Sequence, residues 1–361
     1  MRRTLGAIAL GLGALLLVVG LMAKPVLYTQ LATVPLNYKS TSVSVGRDMS
    51  VLRLWSDDAK VGHYDKLTGV TVQSTRQVLG IPGRVPADKQ SSTAFWQTGV
   101  KSIAVGVGDL SYSMETVSFD RLTGVANNCC GDQVSIGDLE KPDAMKNITH
   151  EGGYFKFPFD VQKQSYAWWD GDLGKATAAK FVRTEDLFGT ETYVFEQRID
   201  KQEVASRTVP AAIFDGTGED VPAKVMYGNV RTLWVEPNTG VIVKGQEAID
   251  KTLESALGTV AATKGVIGFD ESTIKANAQE WGALGSQLGF VKNTLPWLGP
   301  LLGVLLGLVG AVLLVGKGRR SAASWSGAAE GPVAGLEGLD PVAETQVMDP
   351  TRAELRNQSS L

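Results

Sequence analysis

LPWLGPLLGVLLGLVGAVLLVG, residues 295–316, carries no charged side chain over its whole length. A bilayer hydrocarbon core about 30 Å thick is crossed by about 20 apolar residues in helical form, and an uncharged run of this length reads as a membrane span. A second run, LGAIALGLGALLLVVGLM at residues 5–22, meets the same criterion near the N-terminus. The averages conceal both runs, because 20% charged residues and a net charge of −3 over 361 residues describe an ordinary soluble chain.

The first run has two readings. Arg2 and Arg3 before it suit the basic start of a cleaved signal peptide. The apolar stretch is longer than such a signal needs, however, and no small-x-small cleavage site follows, since the chain continues Met22-Ala23-Lys24-Pro25. An uncleaved anchor is the favoured reading. Basic residues flanking a span stay in the cytoplasm. Arg2 and Arg3 precede the first span, and Lys317, Arg319 and Arg320 follow the second. Both termini are therefore expected inside the plasma membrane of a two-pass protein, with the main domain outside. The expected division is a cytoplasmic N-terminus at 1–4, transmembrane helix 1 at 5–23, an extracytoplasmic domain at 24–294, transmembrane helix 2 at 295–316 and a disordered cytoplasmic tail at 317–361. The tail is rich in Gly, Ala, Ser and Pro and lacks the apolar periodicity a packed core requires.

The external segment reads mainly as antiparallel β structure, so the fold class expected is a membrane-anchored α+β protein. Tyr64-Asp65-Lys66-Leu67-Thr68-Gly69-Val70 recurs as Phe119-Asp120-Arg121-Leu122-Thr123-Gly124-Val125, and more loosely as Val235-Glu236-Pro237-Asn238-Thr239-Gly240-Val241. In each, an acid opens the turn and Gly supplies the positive φ of a hairpin. Three hairpins are predicted from these copies. In Thr192 to Ile199, Tyr193, Phe195 and Ile199 share one face with Gln197, while Thr192, Glu196 and Arg198 point the other way, the period of a half-buried strand. Two helices are predicted in this domain. One covers Gln246 to Leu257. The other covers Glu271 to Lys292, with Asp270 or Ser272 as its N-cap, and leads down to the second span, where Trp297 would sit at the membrane interface.

Little in the chain suggests catalysis. His63 and His150 are the only imidazoles, and neither stands in a metal-ligand spacing. His150-Glu151 is a weak base-and-orienter pair. No enzyme activity, cofactor or metal is expected. Cys129 and Cys130 are adjacent and are the only cysteines. A vicinal disulfide in the loop formed with Asn127, Asn128, Gly131 and Asp132 suits an oxidising compartment, whereas two reduced thiols or pairing between chains are the alternatives. Tyr154, Phe155, Phe157 and Phe159, followed by Tyr166, Trp168 and Trp169, make an unusually dense aromatic stretch. Core packing is the plain reading. An apolar ligand surface for a lipid or glycolipid is the sharper one. In the second span Gly299, Gly303, Gly307 and Ala311 recur every four residues, a small-residue stripe for close helix packing. Ala7 with Gly11 and Ala9 with Gly13 offer weaker matches in the first. The spans would pair within a chain or bring chains together as a homo-oligomer. Membrane lipids are the expected partners, and no nucleic acid is.

Several of these motifs, taken together, resemble the actinobacterial porin PorA family. They are the opening Met1-Arg2-Arg3 with its glycine-rich anchor, Val34-Pro35-Leu36, Phe119-Asp120-Arg121-Leu122-Thr123-Gly124 running into Cys129-Cys130-Gly131, and Lys156-Phe157-Pro158-Phe159. Further on come Tyr166 with Trp169-Asp170, Tyr193-Val194-Phe195-Glu196-Gln197, and Arg231-Thr232-Leu233-Trp234-Val235-Glu236-Pro237-Asn238-Thr239-Gly240-Val241-Ile242-Val243. The resemblance covers nearly the whole chain before the tail. It implies a cell-envelope protein with channel-forming activity and supplies no catalytic residues. Neither span has a polar face, so a pore would have to come from oligomerised chains or from the external domain. The competing expectation is a lipid-binding or transfer module held at the membrane.

Overall fold

The computed structural model describes residues 1–56, 62–136 and 145–315. Helix α1 (Arg2–Met22) runs through a π-helical stretch (Ala23–Tyr28) into a last turn, α2 (Thr29–Leu31). At the other end, α3 (Glu271–Gly289) passes through a second π-helical stretch (Phe290–Thr294) into α4 (Leu295–Val315). Each composite helix is long and apolar enough to cross a membrane. Asp270 caps α3, its carboxylate accepting the Thr273 N–H at 2.9 Å, which satisfies one of the orphan donors of a helix start. The tail expected to be disordered lies outside the described residues.

Between the helices lies one antiparallel sheet of twelve strands in the order β6-β5-β4-β3-β2-β1-β12-β11-β10-β9-β8-β7. Most neighbours are consecutive in the chain. The first half, β1 (Lys39–Ser56), β2 (Gly62–Gly80), β3 (Thr93–Ala104), β4 (Gly108–Asp120), β5 (Gln133–Ile136) and β6 (Lys146–Asn147), walks outward from the centre. The second half, β7 (Tyr166–Asp170), β8 (Lys175–Leu187), β9 (Thr190–Val209), β10 (Val221–Val235), β11 (Ile242–Ser255) and β12 (Gly258–Phe269), walks back until β12 pairs with β1. Isolated bridges link the β7 edge to the turn that follows β4, through Gly153 to Trp168 and Val125 to Gly153. The sheet thus wraps around an interior, a common way of protecting exposed strand edges.

Two sequence expectations are corrected here. Gln246 to Leu257 is not a helix: the segment falls mostly in β11, hydrogen-bonded to β10 on one side and β12 on the other. Its Gln, Glu, Ala, Lys and Leu are good helix formers, but two flanking strands override that local preference. The first turn copy is not a hairpin either. Tyr64 to Val70 lies inside β2, and both sides of it pair with the same strand, β1. Gly69 still takes a positive φ of 70°, but it serves a bulge where the register shifts between Met49 and Val51.

The other two copies do close turns, and they are near replicas. In one, Gly124 N–H donates to the Asp120 carbonyl at 2.9 Å and Asp120 N–H to the Val125 carbonyl at 2.9 Å. In the other, Gly240 N–H donates to the Glu236 carbonyl at 2.9 Å and Glu236 N–H to the Val241 carbonyl at 2.9 Å. Gly124 and Gly240 have φ of 72° and 73°, the left-handed conformation that glycine adopts at no steric cost. The segment carrying Phe157 and Phe159 is threaded between these turns. Phe159 N–H donates to the Leu122 carbonyl at 3.2 Å, and Phe157 N–H to the Gly240 carbonyl at 2.8 Å. Phe157 enters a core with Val161, Trp168, Ala179, Phe195, Leu233 and Val235. Phe155 and Phe159 pack on a second core of Val34, Val78, Ala94, Trp96 and Phe119.

Candidate functional site

Two cavities meet inside the domain. The first, about 510 Å³, lies where α3 and the chain after α2 cover one end of the sheet. Its wall is mostly apolar: Leu31, Val34, Pro35, Val78, Trp96, Phe155, Phe159, Trp281, Leu284, Leu288 and Val291, with Tyr38 and Lys156 among the polar groups. The second, about 470 Å³, lies within the wrapped sheet and has a mixed wall. Ser42, Ser44, Ser74, Ser102 and Ser111 alternate with Met49, Val51, Val72 and Leu110 along its strands. Ser42, Arg76, Ile242 and Phe269 line both cavities and form the neck between them.

Sequence folds the neck and roof into place in identifiable ways. Thr190 Oγ1 on β9 donates to the Ala278 carbonyl of α3 at 2.8 Å, and Asn277 Nδ2 donates to the Val243 carbonyl of β11 at 3.2 Å. Gly285 sits directly over Glu236, where a Cβ would overlap the carboxylate. Tyr38 stacks on Trp96 with ring centroids 4.5 Å apart, and Trp281 tilts against Tyr38 at 6.5 Å. Arg76 on β2 donates from Nε to Thr98 Oγ1 at 2.9 Å and lies over the rings of Tyr154 and Phe155 at 5.2 and 5.6 Å, where the quadrupole of each ring favours a cation.

The mixed cavity is walled by two buried polar networks. Arg231 donates to Gln197 Oε1 at 2.6 Å, to Asp170 Oδ2 at 3.1 Å and, through Nε, to Glu247 Oε1 at 3.0 Å. Tyr227 donates to the same Asp170 oxygen at 2.9 Å. Burial alone would raise the Glu247 pKa, but the adjacent Arg231 guanidinium outweighs it and holds the carboxyl below its usual range. In the second network His150 places Nε2 at 2.8 Å from Glu115 Oε1 and Nδ1 at 3.0 Å from Asp132 Oδ2. Tyr154 and Trp169 donate to Glu115 at 2.5 and 3.2 Å. Burial lowers the His150 pKa, but the hydrogen bonds to Asp132 and Glu115 more than offset it, and the net shift is upward. Both ring nitrogens are occupied and the side chain is wholly buried, so the imidazole offers no nitrogen to a substrate. Glu151, its sequence neighbour, instead accepts the Ala176 N–H at 3.2 Å.

The aromatic stretch is divided between these features. Phe155 and Phe159 line the apolar cavity, and Tyr154, Trp168 and Trp169 line the mixed one. Phe157 is buried in the core, and Tyr166 packs edge-on against it with centroids 5.3 Å apart. Cys129 and Cys130 place their sulfurs against each other. Their loop is tied down by Cys129 N–H donating to Ser118 Oγ at 2.9 Å and by the Cys130 carbonyl accepting from Arg84 at 3.2 Å. Lys156, Arg76 and Trp281 were not among the candidate residues in the sequence. For Lys156 a signal was present: it is the one charge set between Phe155 and Phe157.

The two long apolar helices α1 and α4 lie against each other backbone to backbone. A Cβ on Gly13 would stand 2.7 Å from the Gly303 carbonyl oxygen, and one on Gly310 would stand 2.8 Å from the Gly6 oxygen. Gly299 faces Gly20. Gly307 has open space in the direction of its missing side chain, and Ala311 is exposed. The contact face of α1 is therefore Gly6, Gly13 and Gly20. This seven-residue spacing is not one the four-residue stripe foretells.

A family model described as Porin PorA matches residues 5–312, which span both helices and the whole sheet. This chain belongs to the porin PorA family. Among curated relatives, the porin PorA of Corynebacterium amycolatum is 24% identical over 383 positions, covering 87% of this chain and 97% of that one. The porin PorA of Corynebacterium resistens is 24% identical over 283 positions, covering 57% of this chain and 67% of that one. Family and helices together make this a membrane protein of the cell envelope.

Proposed function

We propose that this PorA-family protein is a non-enzymatic, extracytoplasmic amphiphile-binding module. Two spans hold it at the plasma membrane, and both of its termini are cytoplasmic. The observation that carries the reading is the apolar cavity under α3. The same helix that roofs it continues as a membrane span, and the chain leaving the other span supplies Leu31, Val34 and Pro35 to its wall. A cavity of about 510 Å³ falls within the roughly 300–1,000 Å³ usual for small-molecule sites. An acyl chain would move from the bilayer along the helix surface into this cavity and reach the neck at Arg76. A vicinal disulfide at Cys129 and Cys130 would rigidify the loop beside the His150 network.

The second reading is a channel assembled from several chains, and the names of the relatives favour it. Within one chain, the glycine contacts between α1 and α4 leave no space for a lumen between the spans. A pore would have to form between the outer faces of helices from different chains. The two readings separate on the protein purified in mild detergent, with co-purified lipids read by mass spectrometry and conductance recorded in planar bilayers. The proposal expects stoichiometric lipid without conductance steps. Reproducible single-channel steps from a lipid-free preparation would replace it with the channel.

A further inference from the structure

Lys156 is 5% exposed, and among the described residues its Nζ has no hydrogen-bonding partner. It lines the apolar cavity, with Nζ 3.6 Å from the centre of the Phe159 ring, which lines the same wall. The charges that act on it are those of Asp120, at the end of β4, and Glu236, just past β10. Asp120 Oδ1 already accepts from Leu122 N–H, Thr123 N–H and Thr123 Oγ1 at 3.1, 2.7 and 2.8 Å. Glu236 accepts from Asn238 N–H and Nδ2 through one oxygen, and from Thr239 N–H and Oγ1 through the other. Each carboxylate closes its own turn. The amine therefore feels two negative charges but touches neither. Burial pushes its pKa down to about 7 against the pull of those acids, so near neutral pH it is poised to take up a proton when an anion arrives.

An unpaired buried ammonium is costly, and among the described residues this one has the face of the Phe159 ring but no hydrogen-bonding partner. The cavity it lines is mostly apolar, and the Phe159 ring of the same wall lies against the amine. We propose that this cavity binds a single-chain carboxylic acid, its alkyl chain against Val34, Trp96, Trp281 and Leu284 and its carboxylate on Lys156 Nζ. This rests on the amphiphile-binding reading above and deepens it. The acid head distinguishes such a ligand from a neutral chain of the same length, which would leave the amine unpaired.

The test uses the full-length protein in detergent, with radiolabelled palmitate and hexadecanol as probes. At pH 7.0 the wild type is expected to bind palmitate about tenfold more tightly than the alcohol. Lys156→Met, which replaces the amine with an apolar stem of similar length, is expected to bring the two within about twofold while still binding hexadecanol. Arg76→Met tests the rival assignment, in which the guanidinium at the neck rather than Lys156 holds the carboxylate. In the wild type, the preference is expected to fall by up to about tenfold per pH unit above 7, because the acid then binds only with uptake of a proton. Unchanged preference in Lys156→Met, or loss of it only in Arg76→Met, overturns the assignment to Lys156 and leaves amphiphile binding standing. If Lys156→Met fails to fold, a wild-type preference that is flat from pH 7 to 9 overturns the assignment by itself. Failure of the wild type to bind either chain sinks the amphiphile reading itself.

Discussion

Replacing Glu236 by alanine should destabilise the domain far more than replacing Asp120, although both acids close the same kind of turn. The difference follows from burial. Glu236 is 3% exposed, covered by α3 at Gly285, and accepts four hydrogen bonds at 2.6 to 3.1 Å. Removing it strands the N–H groups of Asn238 and Thr239 where water has little access. A buried donor left unsatisfied costs about 1–3 kcal/mol, so the pair sets the expected loss at about 4 kcal/mol. Asp120 accepts three bonds at an exposed turn, where water replaces the lost acceptor, and about 1 kcal/mol is expected there. For a domain of this size about 1 kcal/mol moves the melting temperature by roughly 2–4 °C. The expected drops are therefore about 8–16 °C for Glu236→Ala and about 2–4 °C for Asp120→Ala. Tryptophan fluorescence melts of detergent-solubilised protein at one scan rate measure both. Equal shifts, or a larger shift for Asp120→Ala, would refute the argument that α3 seals the second turn.

The paired spans make a sharper contrast. Gly13→Val and Gly303→Val should lower thermal stability in detergent by about 1–3 kcal/mol through overpacking, whereas Gly11→Ala and Gly307→Ala, with open space at the new Cβ, should be neutral or gain about 0.5–1 kcal/mol from better helix propensity; a reversed order would mean that the spans do not pack through these faces. The raised pKa of His150 makes its contribution to stability fully present below the unfolded value of 6.5 and lost as pH rises through the folded one. The wild-type melting temperature should fall as pH climbs past neutral, and His150→Gln should be less stable at pH 6 with a flatter profile. Unreduced protein should resist alkylation at Cys129 and Cys130 until a reductant is added; immediate double labelling would show free thiols.

The two long apolar helices and the β-rich character of the domain were legible in the sequence because both leave a local trace: uncharged length for the helices, period two for strands such as β9. Two of the three turn copies close turns for the same local reason, since the acid, Thr and Gly satisfy one another within a few residues. The first copy uses the same residues in a bulge, and only the pairing of β2 along the whole of β1 decides that. The misread helix at Gln246 to Leu257 has the same cause, a strand imposed by neighbours distant in the chain. The cavity walls were out of reach because they assemble residues from both ends of the chain, such as Val34, Arg76, Lys156 and Trp281. What distinguishes Lys156 is the lack of a hydrogen-bonding partner among the described residues, which no sequence records.

The pairing of Ser44 with Phe269 bears on how this protein is made. The central seam joins the first strand to the last, so on the proposed topology the domain is unfinished until nearly all of it has been delivered across the bilayer. The second membrane helix begins only 26 residues later, at Leu295. On that topology, completion of the sheet and arrest of translocation fall almost together. Until that moment β1 waits with an open edge, the state most exposed to mispairing and proteolysis. A nascent chain stalled before β12 should be the species that quality-control proteases find.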